Sequence, residues 1–458
     1  MSADFECLSP IDGSRVYSGN YHSGDELADV LARAQAARAE WRATPLETRI
    51  ERLKAASDHL FANKDAIGTE ITRQMGRPIR YSSKELEGLK ERSDAMLALA
   101  PNALADIRPE PVDGFDRWIA REALGVVAVL APWNYPFLTS VNAIIPALAA
   151  GNCVILKHSA QTPLVAKRYE EAFRHAGLPD GVFQIVFLDH AGAADLMGAP
   201  AIDYVAFTGS VGGGEAVNQA IAGKFIGAGL ELGGKDPAYV RKDADIAIAA
   251  ENLADGAFFN SGQSCCGIER IYADASVQDE LVAGIVKHAS SLTLGDPMDE
   301  ATTLGPMASA KGADTVRQQI ADAIEGGAQA HLPLDTNWGS AYLGPQVLTN
   351  VDHTMDVMME ESFGPVVGIC PVADDAEAIR LMNDSQYGLT ASIWTTDKAA
   401  AKTIGSALET GTVFLNRCDY LDPYLAWTGV KNSGRGCTLS TIGYEQLTRP
   451  KSYNFKEV

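Results

Sequence analysis

From Leu124 onward the chain alternates short apolar strands with amphipathic helices, and no other feature restricts its fold as tightly. The runs LGVVAVLAP, GNCVILK, GVFQIVF and DYVAFTG each have strand length, and the helical stretch TPLVAKRYEEAFRHAG separates the second from the third. Strands that are apolar on both faces and joined by helices predict an α/β fold with a parallel sheet covered on both sides. Ligands of such sheets bind at the carboxyl ends of the strands. A second alternation begins after Gly234 and runs through GPVVGICPV and GLTASIWTT to GTVFLN. At 458 residues the chain exceeds what one core usually holds. It therefore divides near Glu231 into a nucleotide-binding unit and a catalytic unit.

The first third reads as helical. Ser23 with Glu26, and Thr44 with Glu47, have capping-box spacing, and Pro45 falls at the first position of the second helix. Ile50, Leu53 and Leu60 then share one face. Asp113-Gly114 suits a hairpin turn, and Trp118, Ile119 and Ala120 suit an exposed strand that pairs elsewhere.

A formal net charge of −21 argues against a nucleic-acid partner or an anionic membrane surface. The longest apolar region is broken by prolines and Asn134 before membrane-spanning length, and MSADFECLSP has neither the basic stretch nor the apolar core of a secretory signal. Seven sparse cysteines fit free thiols in a reducing cytoplasm. The eight histidines form no metal-ligand pattern, so no metal is expected.

The chemistry concentrates in FFNSGQSCCGIER, residues 258–270. A cysteine in an apolar run is more often an inert buried thiol. Glycine and small residues around Cys265 favour close approach of a substrate to the backbone, and a thiolate is a suitable nucleophile for a carbonyl carbon. Glu231 ends the apolar run FIGAGLEL and precedes two glycines, which points it into a cleft, although most glutamates are simply solvated. Asn134 follows a strand, as a turn asparagine would, and its amide is a neutral donor suited to an oxyanion. Phe207-Thr-Gly-Ser210 ends a strand where VGGGEAVNQAIA opens a helix, a turn suited to a pyrophosphate or merely a tight turn.

The string N-x-G-Q-x-C, here Asn260, Gly262, Gln263 and Cys265, resembles the nucleophile motif of the aldehyde dehydrogenase superfamily. LELGGK is similar to that family's other signature, with Glu231 standing 34 residues before Cys265. APWNYP, GNCVILK, FTGS, EESFGPVV, YGLTASIWTTD and GVKNSGRG follow the family pattern in order, so that the likeness runs from Ser9 to Lys451. The resemblance implies a Rossmann-type NAD(P)-binding domain (residues 1–103 and 124–231), a catalytic domain (232–436) and a β-flap for oligomerisation (104–123 and 437–458). It implies NAD(P)-dependent oxidation of an aldehyde to a carboxylic acid through a thiohemiacetal and thioacyl-enzyme on Cys265. Glu231 would be general base for hydrolysis, and Asn134 would share the oxyanion with the backbone N–H of Cys265. Ser210, Gly209 and the nearby backbone would meet the pyrophosphate. Lys157 would hold the adenosine ribose and Glu361 the nicotinamide ribose, with Trp133 and Phe363 beside it. Tyr135, Thr139, Asn142, Ser264, Leu421 and Trp427 would line the substrate tunnel, and Cys266 would be a packing residue able to oxidise with Cys265. A homodimer or homotetramer is expected.

Departures from the family bear on specificity. Many NAD-preferring members carry a glutamate three residues after the lysine, where this chain has Ala160, so NADP should be tolerated or preferred. His158 replaces the usual proline. Thr139 and Asn142 are small where relatives carry bulky aromatics, which predicts a wider tunnel. No arginine cluster stands at those positions, which favours an uncharged aldehyde. An acylating, coenzyme A-linked relative or an acyl-phosphate reductase would not need Glu231. A catalytically silent member would not need Cys265, Glu231 and Asn134 together.

Overall fold

The computed structural model describes residues 4–456. The apolar runs form strands at Val126–Ala131, Cys153–His158, Phe183–Val186 and Tyr204–Thr208, the first buried along its whole length. With Gly227–Glu231 they make a parallel sheet. From Val126–Ala131 the chain builds outward through Cys153–His158 to Phe183–Val186. It then returns to the other side with Tyr204–Thr208 and Gly227–Glu231. The strand order therefore reverses beside Val126–Ala131, and a crevice opens where that strand runs into Pro132, Trp133 and Asn134.

The second sheet begins one short loop later, with Asp236–Val240. It pairs in parallel with Ile268–Asp274 and Thr390–Trp394, and Val366–Val372 and Thr412–Leu415 extend it on either side. Glu231 thus ends the last parallel strand of one sheet, just before the other begins. Gly434–Arg435 folds back antiparallel against Glu231 and Leu230, so the segment 232–436 closes on the first sheet. Gly434 has φ 113°, and a Cβ there would lie 2.0 Å from the Leu230 carbonyl oxygen, so only glycine fits.

Ser23 makes the expected capping box: its hydroxyl accepts from Glu26 N–H, and its own N–H donates to the Glu26 carboxylate at 2.7 Å. Thr44 does not. It closes the preceding helix, Gly24–Ala43, donating its N–H to Glu40 and Trp41 and its hydroxyl to the Glu40 carbonyl. The next helix, Leu46–Ala62, opens without a side-chain cap. One linking residue serves two helix ends, and Thr44 is committed to the first.

Asp113-Gly114 turns a short hairpin bridged at Val112–Phe115 and Ile107–Ile119. Phe115–Ala123 pairs along its whole length with Thr448–Lys456, with Trp118 stacked on Tyr453 at 4.3 Å. The segment before that last strand joins the first core: Tyr444 is fully buried, and its hydroxyl donates to the Met96 carbonyl at 2.8 Å. Among the described residues, no helix is long and apolar enough to cross a membrane.

Candidate active site

The helix Ile246–Phe258 delivers the nucleophile string, and three successive left-handed residues turn it into the crevice: Asn260 (φ 55°), Ser261 (φ 56°) and Gly262 (φ 70°). Such a run is costly unless its surroundings hold it. Asn260 Oδ1 accepts from Arg77 Nε at 3.0 Å, and its Nδ2 donates to the Asn134 carbonyl at 3.2 Å. Ser261 donates to the Gly305 carbonyl at 2.8 Å. A Cβ on Gly262 would lie 2.2 Å from the Gly364 carbonyl oxygen. Gln263 donates to the Asn260 carbonyl at 2.9 Å and accepts from Ala308 N–H at 2.8 Å. The N-x-G-Q spacing is thus a demand of backbone geometry, and it leaves Cys265 half-exposed.

Cys265 stands where two cavities meet. One, of about 270 Å³, is lined by Trp133, Asn134, Gly209, Ser210, Glu231, Glu361 and Phe363. The other, of about 300 Å³, is lined by Tyr135, Ser264 and Leu421 together with Arg92, Asp255 and Asp419. Thr139 borders both. Asn142 is buried and borders a separate small cavity with Glu231, and its Oδ1 accepts from Arg92 Nη1 at 3.4 Å. Trp427 is buried in the first core, with its backbone paired to Thr438. Neither lines the cavity at Cys265. Lys157 lies outside both cavities, and burial lowers its pKa.

Asn134 Nδ2 donates to the Gln263 carbonyl at 3.1 Å, which leaves its second hydrogen free beside Cys265. The backbone N–H of Cys265 has no acceptor among the described residues. Beneath them lies a buried pair that sequence reasoning missed. Arg77 binds Glu85 and the Asn134 carbonyl, while Glu85 accepts from Phe137 N–H at 2.7 Å. Only the fold brings these segments together.

Glu231 accepts from Thr438 at 2.5 Å on Oε1 and from Thr208 at 3.1 Å on Oε2. Burial raises its pKa, while Thr438, Thr208 and the charge of Arg92 oppose the rise. The groups around it with charge to gain or lose are Arg92, Cys265, Cys437 and Tyr204. Thr438→Val removes a donor that favours the carboxylate, so the acid limb of steady-state turnover should move to higher pH. On that limb the rate should fall about tenfold, a lost hydrogen bond to a charged group. Thr438→Ser should restore the profile. A Thr438→Val profile that overlays the parent's would show that Thr438 does not hold Glu231.

Cys266 is more than a packing residue. Its Sγ donates to Asp419 Oδ1 at 2.9 Å, as does Ser264 Oγ at 2.9 Å, and its pKa is raised by Cys265 and by burial. His158 is equally committed: it lies buried between the Pro136 carbonyl (3.1 Å) and Thr162 Oγ1 (3.1 Å), and burial pulls its pKa down to about 4. It is a neutral brace for the start of the helix Pro136–Ala149.

The first cavity fits a nicotinamide dinucleotide. Ser210 caps the helix Val211–Ile221, accepting from Gly213 N–H at 3.2 Å, and space is open over Gly212. Bare backbone N–H groups at a helix start attract a pyrophosphate. Trp133 and Phe363 meet edge to face at 5.7 Å. Glu361 Oε1 accepts from Gly234 N–H at 3.0 Å, and Oε2 has no partner among the described residues, which leaves an acceptor for a ribose hydroxyl. Burial, and then the charge of Glu269, push its pKa up to about 7. Glu269 and Lys235 form a buried ion pair at 2.5 Å, and Glu269 also accepts from Ser362 and Phe363 N–H at 2.8 Å each, which fixes this loop.

The parallel sheet opens a ligand crevice at its reversal point, and Cys265 faces that crevice, an arrangement of the nucleotide-binding α/β class. A profile described as the aldehyde dehydrogenase family matches residues 1–453. The chain is 32% identical over 441 residues to a succinate semialdehyde dehydrogenase [NAD(P)+] of Escherichia coli K12, covering 96% of this chain and 95% of that one. It is 35% identical over 421 residues to geranial dehydrogenase of Castellaniella defragrans, covering 90% and 86%. Among solved structures it superposes on the NADP-dependent glyceraldehyde-3-phosphate dehydrogenase of Bacillus halodurans C-125 complexed with NADP. The TM-score is 0.94 at 32% identity, with coverage of 100% and 96%. The chain belongs to the aldehyde dehydrogenase family. It is an NAD(P)-dependent oxidoreductase acting on the aldehyde group.

Proposed function

We propose that Cys265 attacks the aldehyde from the cavity lined by Tyr135, Thr139, Ser264 and Leu421, while the nicotinamide cofactor occupies the opposite cavity. The carrying observation is that Cys265 is reached from both sides at once. The thiolate adds to the carbonyl carbon and forms a thiohemiacetal. Its oxyanion takes the free Asn134 Nδ2 hydrogen and the unpaired Cys265 N–H. The cofactor, when bound, supplies the hydride acceptor. Glu231 then takes the proton of the water that hydrolyses the thioacyl-enzyme, and its presence argues against transfer to coenzyme A. Gly209 and Ser210 with the adjoining backbone meet the pyrophosphate, Glu361 the nicotinamide ribose, and Lys157 the adenosine end. Trp133 and Phe363 pack beside the ring.

The pairing of Phe115–Ala123 with Thr448–Lys456 leaves Phe115 and Phe455 exposed, which supports a homodimer or homotetramer assembled through this ribbon. Seven free cysteines favour a reducing cytoplasm.

The test is a panel of aldehydes with NAD and with NADP, followed by reduced-nicotinamide absorbance. Turnover with none of them, by folded enzyme, would remove the assignment. Ala160→Glu should shift the ratio of catalytic efficiencies toward NAD by about 10–100-fold, the size of one charge-assisted hydrogen bond. An unchanged or NADP-shifted ratio would remove Ala160 from the adenosine pocket.

A further inference from the structure

The substrate-side cavity holds a guanidinium that makes no direct ion pair, although Glu231, Glu85 and Asp419 act on it through space. Arg92 reaches into it from the helix Lys84–Ala103. Its Nη1 donates to the Leu138 carbonyl at 2.6 Å and to Asn142 Oδ1 at 3.4 Å, both neutral acceptors. Among the described residues no carboxylate lies within the 4.0 Å of an ion pair. The neighbouring cations are matched: Lys90 with Asp58 and Asp94, and Arg77 with Glu85. Nε and Nη2 of Arg92 have no partner and are not sealed away from the cavity. That pair forms the edge of the guanidinium that meets a carboxylate with two parallel hydrogen bonds. Burial disfavours the charge, and a desolvated cation without a direct ion pair is destabilising. Arg92 borders the cavity beside Thr139, so the expected wide tunnel is partly lined by charge.

We propose that Arg92 binds a carboxylate at the far end of the aldehyde, making the preferred substrate a short ω-carboxy aldehyde. This rests on the reading of Cys265 as nucleophile. The rest of the lining limits the anion to a single charge. Glu91, Asp255 and Asp419 also border the cavity, and they would repel a doubly charged phosphate more than a carboxylate. Asp419 Oδ1 is already engaged with Ser264 and Cys266. An apolar aldehyde would leave the guanidinium desolvated and unpaired.

The experiment compares 4-oxobutanoate and 5-oxopentanoate with butanal, pentanal and 4-aminobutanal, for the parent, Arg92→Met and Arg92→Lys. The parent should favour an oxo acid over its neutral counterpart at least about tenfold in kcat/KM. Arg92→Met should lower kcat/KM for the oxo acids by about 10²-fold, chiefly through KM. Loss of the Arg92 charge should also move the acid limb through Glu231, so the comparison is made on the pH plateau, where butanal turnover should fall far less than oxo-acid turnover and shows that the variant folds. Arg92→Lys should recover part of the loss. A parent that prefers the neutral aldehydes or 4-aminobutanal overturns the proposal. So does Arg92→Met acting equally on charged and neutral substrates. Absence of turnover with every aldehyde would instead remove the function proposed for Cys265, so the two failures are distinguishable.

Discussion

Cys265→Ala is expected to abolish aldehyde oxidation while leaving dinucleotide binding intact. Attack needs a polarizable nucleophile at the junction of the two cavities, and alanine supplies none. The adjoining Cys266 cannot substitute. Its Sγ is buried and bound to Asp419, and its pKa lies well above the usual thiol range. Cys266→Ser preserves a donor to Asp419 and should still form the acyl-enzyme. Binding of reduced cofactor by fluorescence and a single-turnover assay with excess enzyme separate the two variants. Turnover by Cys265→Ala, or loss of the burst only in Cys266→Ser, would move the nucleophile one residue along.

Glu231→Gln should stall the reaction after its first half. Thiol addition and oxidation require no base for water, whereas thioester hydrolysis does. Glutamine keeps the size and can still meet Thr208 and Thr438, but it accepts no proton at neutral pH. Deacylation should slow by about 10²–10⁴-fold. One rapid equivalent of reduced nicotinamide per active site would then precede a slow steady state, with a thioacyl adduct visible by intact mass. If Glu231 also activates the thiol, the burst slows as well, and raising the pH partly restores it. Normal turnover by the variant, where deacylation limits the parent, would exclude Glu231 as the base. In the parent, the raised pKa of Glu231 means that hydrolysis should fail from the acid side, as the carboxylate gains its proton.

The likeness between sequence and structure was local in kind. Asn260, Gly262 and Gln263 were legible as a motif resembling a known family's, and the structure supplies the reason for its spacing in left-handed backbone at Asn260 and Gly262 and a close approach to Gly364. The capping box at Ser23 was legible because unpaired N–H groups at a helix start call for acceptors at fixed spacing, and the one at Thr44 was not formed. A spacing rule cannot show which of two adjoining helices will use a shared residue.

By itself the sequence determined the alternating strands and the crevice at their carboxyl ends, because hydrophobic period can be read residue by residue. Cys265, Glu231 and Asn134 stood out in it through likeness to a family's contiguous motifs. Tertiary structure alone decided what surrounds them. Thr438 lies 207 positions from Glu231 and Asp419 lies 153 from Cys266, yet each pair is hydrogen-bonded. Arg77 and Glu85 support Asn134 from a separate helical region, and Arg92 enters the cavity from a helix with no recognisable motif. Asn142 and Trp427 lie outside the cavity at Cys265 because helix phase and core burial, which depend on every neighbouring element, set their place. Electrostatic and packing partners are chosen by proximity in space, and proximity between distant segments exists only after the chain has folded.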